Sequence, residues 1–223
     1  MDDETPIAGK LKTKLVDSKR RRAEQGRLLT GKTAAPSQRL PPGQRLVENW
    51  PVLDLGIQPE IPLHAWRLFV DGEVEQPATW KWGEFTDLPK STRSSDVHCV
   101  TAWSRYDNKW EGVSARDLLA IVKTKSTARH VIFHSYDTYT TNVPLADFSA
   151  QDVLLAWSWN GEPISREHGG PLRVVIPRLY FWKSAKWIKR IEFSPFDKPG
   201  FWEVRGYHNY GDPWQEQRYD EET

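Results

Sequence analysis

His168-Gly-Gly-Pro-Leu-Arg173-Val-Val-Ile-Pro177, followed by Lys183-Ser-Ala-Lys186-Trp187, carries more information than any other part of this chain. Gly169 and Gly170 let backbone come close to a ligand. His168, Arg173, Lys183 and Lys186 put four potential positive charges, with the Ser184 hydroxyl, inside 19 residues. Guanidinium forks match phosphate oxygens, and ammonium groups supply point charge. The runs between them, Val174 to Ile176 and Tyr180 to Trp182, are core-like and hold these polar groups near the interior. Leu172–Ile176 and Trp187–Phe193 read as strands. The segment therefore looks like an anion cradle on buried strands, for one phosphate and a polar ring system. An exposed basic strand face is the bland alternative.

Strands continue outward from there. Leu154–Trp159 is one, turned by Asn160-Gly161. Val131–Phe133 is a buried strand, and the β-branched run Thr138–Val143 pairs with it. Arg67–Val74 reads as two strands around an Asp71-Gly72 turn. Asp96–Thr101 is a short β-like run. One helix is legible: Ser114 caps it, Asp117 stands at its third position, and Leu118, Leu119 and Val122 form its inner face. Few, scattered helices among many strands indicate an α+β, mainly β, mixed-sheet domain. There is no internal repeat, no GxGxxG and no P-loop, so dinucleotide and kinase-like readings lack support.

Composition bounds the function. Twelve tryptophans against one methionine point to a rigid core or to the walls of a deep pocket. No apolar run approaches the roughly 18 residues of a membrane span. Charge is uneven: residues 1–45 hold 11 Lys+Arg against 5 Asp+Glu, although the whole chain is at +1. Residues 1–45 read as a basic, poorly ordered arm, and 46–223 as the globular domain. A short helix around Ala8–Leu15 is conceivable. The Lys19–Arg22 run lacks the apolar stretch of an export signal, which leads to the expectation of a cytoplasmic protein. Nucleic-acid binding by the arm is weakly signalled, and a solvated tail fits better.

Cys99 is the only cysteine. It cannot form an internal disulfide or a structural zinc site by itself. Three readings stay open: a buried small hydrophobe, a nucleophile, or a thiolate ligand to a metal that brings most of its own coordination. His98 is a poor base for it, because neighbours on a strand point to opposite faces.

The His168–Pro177 run with Lys186-Trp187 strongly resembles the molybdopterin-binding core of the sulfite oxidase family. Cys-Val-Thr-Ala-Trp-Ser at 99–104, Trp110-Glu-Gly-Val, Asp117-Leu-Leu and Phe201-Trp-Glu-Val-Arg-Gly-Tyr207-His-Asn are similar to its prokaryotic members, including the methionine sulfoxide reductase catalytic subunit. The likeness covers roughly residues 47–219. It implies the mixed-sheet, mainly β fold of that family, and molybdenum with molybdopterin as cofactors. Carried over by position, Cys99 is the molybdenum ligand. Asn49, Val52 and Leu53 lay backbone along the pterin, and Ser135 contacts the cofactor. His168 and Arg173 contact pterin and phosphate, and Lys183, Ser184, Ala185 and Lys186 clamp the phosphate. Tyr207 and Arg105 are the catalytic, substrate-contacting candidates.

The family's Arg-rich stretch after the cysteine is missing here. Arg105, between Trp103 and Tyr106, is the nearest cation. A neutral S- or N-oxo compound is thus at least as good an expectation as sulfite. The resemblance implies a small-molecule oxo substrate and a separate electron-transfer protein. A cysteine hydrolase or transferase, and a non-enzymatic binding module with a basic arm, are the competing classes.

Overall fold

The computed structural model describes residues 39–220, together with Asp17, Ser18 and Arg21. Apart from those three, the chain before Arg39, including the helix expected around Ala8–Leu15, lies outside the described residues. Two mixed sheets organise the rest. The first contains β1 (Arg45–Leu46), β4 (Lys90–His98), β5 (Trp103–Ser114), β8 (Leu154–Trp159), β9 (Glu162–Pro163) and β10 (Arg173–Val175). Its path is β1-β5-β8-β10, with β4 also on β5 and β9 on β8. The second runs β3 (Ala78–Lys81), β2 (Arg67–Gly72), β11 (Ile188–Ser194), β6 (His130–Ser135), β7 (Thr140–Pro144). The β1–β5 and β2–β11 pairs are parallel, and the other ladders are antiparallel.

Within residues 39–220, three short α-helices, α1 (Trp82–Thr86), α2 (Ala115–Val122) and α3 (Leu145–Phe148), complete the α+β, mainly β, fold. The Ser114 hydroxyl accepts from Asp117 N and caps α2, which buries Ala115, Leu118 and Val122 and leaves Leu119 half-buried. One continuous cluster of buried residues draws on both sheets. Trp66, Trp103 and Trp110 are among its largest side chains.

The Asp71-Gly72 hairpin is not formed. β2 runs through both residues, and the antiparallel return strand is β3, with Val70 opposite Ala78. Gly72 instead lies against β11 at φ +87°, where a Cβ would stand 2.1 Å from the Phe193 carbonyl oxygen. The glycine answers a close strand approach rather than a tight turn. β4 likewise ends at His98, one residue before the cysteine. Cys99 opens the connection to β5: its N–H donates to Trp103 O, and Ala102 N–H donates back to Cys99 O. Residues 39–45, which composition groups with the arm, dock beside this connection. Leu40 and Gln44 are buried, Arg45 N–H donates to Ala102 O, and Gln44 Nε2 donates to Cys99 O at 3.1 Å.

Candidate functional site

The β4–β5 connection, the 50–55 loop, the 181–187 segment and residues 202–207 enclose a cleft of about 770 Å³, open mouth included. Cys99, Leu53, Arg173, Ser184, Ala185, Lys186 and Tyr207 all line it. Residues separated by more than 150 positions in sequence are thereby brought to one surface.

Cys99 is buried, and its sulfur lies 3.1 Å from the Thr101 hydroxyl. The backbone bonds that close the connection fix the thiol's position. His98, next in sequence, turns to the other face and shares a 2.8 Å hydrogen bond with Ser104 Oγ. Burial pushes its imidazole down to about 4, so it is neutral at physiological pH.

Arg173, on β10, is 1% exposed. It donates to His168 O at 2.7 Å and Ser184 O at 2.8 Å, and its Nε has no partner. Its guanidinium lies 4.1 Å from the Phe181 ring centroid. Among the described residues no carboxylate pairs with it, and burial pushes it down to about 9. A guanidinium is held this far inside only at a cost that a bound anion would relieve. Lys186 Nζ donates to Leu53 O at 2.7 Å and Glu167 O at 2.6 Å, tying the 50–55 loop to the 181–187 segment. Ser184 Oγ accepts from Ile176 N at 2.9 Å.

The remaining predicted residues are placed elsewhere. His168 stands behind the cleft wall: its ring stacks on Trp50 at 4.0 Å, and its nitrogens reach Ser165 Oγ and Trp50 O. Burial lowers its basicity, so it braces Trp50 as a neutral ring. Ser135, at the end of β6, is buried with its hydroxyl unpartnered, and it does not line the cleft. Asn49 and Val52 are exposed neighbours of the lining residues.

Two assignments change. Lys183 is fully buried and points away from the cleft. Its ammonium pairs with Glu203 Oε1 at 2.6 Å and donates to Asn142 O, Asn142 Oδ1 and Asn209 O. An ammonium with four protein oxygens around it has no donor left for a phosphate. Arg105 is also outside the cleft. It donates to Glu48 O at 3.0 Å and to Asn108 Oδ1, and lies over the Trp159 ring at 4.7 Å.

Of the aromatic wall, the sequence singled out only Trp103, beside Arg105. Trp50, Trp103, Tyr139, Trp182 and Trp202 all face the cleft. Trp202 stacks on Tyr207 at 4.6 Å, and Trp182 meets Tyr207 edge-on at 5.2 Å. The tryptophan count was the only signal for the other indoles, and it could not say which of them were walls. Asp137 also lines the cleft, its carboxyl pushed upward by burial. Among the described residues no three His, Cys, Asp or Glu side chains converge on a bare-ion site. No helix among them is long and apolar enough to cross a membrane.

The family model of the oxidoreductase molybdopterin-binding domain matches residues 55–202. The chain is 46% identical over 192 residues to the uncharacterized oxidoreductase YuiH of Bacillus subtilis, covering 85% of this chain and 97% of that one. It is 27% identical to the protein-methionine-sulfoxide reductase catalytic subunit MsrP of Ralstonia nicotianae, over 66% of this chain and 49% of that protein. It thus spans about half the length of that relative, but nearly all of YuiH. The sulfane dehydrogenase SoxCD of Paracoccus pantotrophus shares the fold, with a TM-score of 0.57 at 22% identity over 62% of this chain and 40% of that one. The cysteine-hydrolase and binding-module readings fall away. The chain belongs to the oxidoreductase molybdopterin-binding domain family, the sulfite oxidase-like group of molybdopterin-dependent enzymes, and its cofactor is the molybdenum form of molybdopterin.

Proposed function

We propose that this oxidoreductase moves an oxygen atom to or from a small, neutral S- or N-oxo compound, with Cys99 as the protein's ligand to molybdenum. One observation carries the reading: a fixed thiol shares a cleft with Lys186 and with a buried Arg173 that donates to backbone carbonyls and, among the described residues, pairs with no carboxylate. That donor set fits the cofactor. A lone thiolate suits a soft metal that brings its remaining ligands along. Arg173 and Lys186 suit a phosphate, and the open Nε of Arg173 still has a hydrogen bond to give.

When bound, the cofactor supplies two-electron oxygen-atom transfer; the protein supplies binding, orientation and electrostatics. Arg173 and Lys186 neutralise the phosphate. Ser184 Oγ accepts from Ile176 N, which leaves its proton for a ligand oxygen. Trp50, braced by His168, offers a flat apolar face. Cys99 is held by Thr101 and the backbone as a fixed donor. Trp182, Trp202 and Tyr207 form the wall that receives substrate, with the Tyr207 hydroxyl as the polar contact. Among the described residues, Arg173 and Lys186 are the only Arg or Lys lining the cleft. Once they face a phosphate, no cation is left for a dianion such as sulfite. This favours a neutral oxo group. A relative named as a catalytic subunit supports electron exchange with a separate protein.

The test is elemental analysis and pterin fluorescence on protein made in cells that assemble the cofactor. A viologen-coupled screen of sulfite, sulfoxides and N-oxides follows. Stoichiometric molybdenum with turnover of neutral oxo compounds supports the reading. Protein without molybdenum, or turnover of sulfite alone, overturns it.

A further inference from the structure

We infer that Glu203 is a positioning residue for the substrate wall: its carboxylate, neutralised by Lys183, sets the orientation of the Trp182 indole. This rests on the reading that Trp182, Trp202 and Tyr207 receive substrate. Glu203 Oε1 accepts from Trp182 Nε1 at 3.0 Å, Thr141 Oγ1 at 2.8 Å and Lys183 Nζ at 2.6 Å. Its side chain is 1% exposed and that of Lys183 0%. Three separate segments meet on this one oxygen: β7 through Thr141, the 181–187 segment through Trp182 and Lys183, and the 202–207 segment through Glu203 itself. Two of them also carry the cleft wall, since Trp182 precedes Lys183 and Trp202 precedes Glu203.

The geometry transmits placement. An indole ring has one N–H donor, and its bond to a fixed acceptor sets the ring's rotation about its own stem. The Tyr139 hydroxyl fixes the backbone that carries this ring, donating to the Trp182 carbonyl at 2.7 Å. Tyr207 packs edge-on against the Trp182 ring and stacks on Trp202, so a turn of Trp182 disturbs all three surfaces. Lys183 has no part in the cleft. It neutralises Glu203, which would otherwise stand as an unpaired buried charge. The second oxygen, Glu203 Oε2, is buried and unpartnered, so the arrangement depends on the single shared oxygen.

Two near-isosteric double variants of the holoenzyme separate positioning from stability. Lys183→Met with Glu203→Gln, and Lys183→Met with Glu203→Met, both remove the ion pair without stranding a charge. Only the first keeps an oxygen able to accept from Trp182. With 15N-labelled tryptophan, the Trp182 Nε1–H signal, assigned by Trp182→Phe, is read in each. The expectation is a near-wild-type signal in the glutamine double and a shifted, faster-exchanging one in the methionine double. With methyl phenyl sulfoxide as probe, KM should rise about tenfold in the methionine double alone, kcat holding within about twofold. A merely structural ion pair would leave the signal and KM alike in the two doubles, and that result overturns the inference. If the sulfoxide is not turned over at all, the functional reading fails, and the indole signal still decides the role of Glu203.

Discussion

Lys183 and Lys186 stand three residues apart and belong to opposite electrostatic regimes. Lys183 is sealed with Glu203 and three further oxygens, a charge the fold neutralises from within. Lys186, with Arg173, borders the cleft and is bonded to carbonyl dipoles. Dipoles orient a cation without cancelling it, and the charge of Arg173, which no carboxylate among the described residues pairs with, is capacity for an anionic ligand. The two clusters should therefore respond in opposite ways to loss of a cation: one through stability, the other through ligand retention.

The largest expected effect lies at the thiol, which neither cluster replaces. Cys99→Ala should abolish turnover and molybdenum retention, while pterin fluorescence persists because Arg173 and Lys186 are untouched. Metal analysis and fluorescence on the purified variant check it; wild-type turnover would remove Cys99 from its role. Lys183→Met comes next. It strands Glu203 in the interior, at a cost of about 3–5 kcal/mol. The melting temperature should fall by roughly 10 °C, with cofactor content per folded chain unchanged. Loss of cofactor without loss of stability would merge the two clusters.

How much of this was legible in the sequence follows the same division. The run from His168 to Lys186 announced an anion cradle because glycines, charges and core-like residues alternate there. The strands around it were readable from β-branched and aromatic runs, and the Ser114 cap from its spacing to Asp117. Lys183 was misassigned because proximity in sequence does not report which way a side chain turns. Its partner, Glu203, lies twenty positions further on, in a segment with no charge pattern of its own. Arg105 failed for a related reason: Glu48 O and Trp159, which hold it, come from distant segments. The Asp71-Gly72 turn failed because a glycine needed for a close strand approach looks identical to one needed for a hairpin.

Arg173→Leu sharpens the contrast with Lys183→Met. Removing a buried guanidinium that no carboxylate neutralises relieves a desolvation cost, while the His168 and Ser184 carbonyls lose a donor. These effects oppose each other, so the melting temperature of cofactor-free protein should move little. Retention of the cofactor should weaken about 10- to 100-fold, the worth of one or two charged hydrogen bonds. Equilibrium dialysis against a chelating or competing apo-protein reads that loss. A large drop in stability would mean that Arg173 is structural, as Lys183 is.

The smallest effect belongs to Asp137, a cleft carboxyl that burial makes harder to ionise. Its folded-state value lies above its unfolded one, so across that window the folded chain holds more protons than the unfolded chain. Stability from this group is then present in acid and is lost as pH rises through the raised carboxylate range. Asp137→Asn keeps the side-chain oxygen that accepts from Tyr139 N at 3.1 Å and never ionises. The variant should match wild type in acid, gain on it through the carboxylate range, and hold a constant advantage above. The gain should be no more than about 1 kcal/mol, an ordinary size for a half-buried polar substitution. Denaturant unfolding of both proteins across pH, without cofactor, measures the difference. An advantage that shrinks as pH rises would show that Lys186 holds the Asp137 carboxylate ionised.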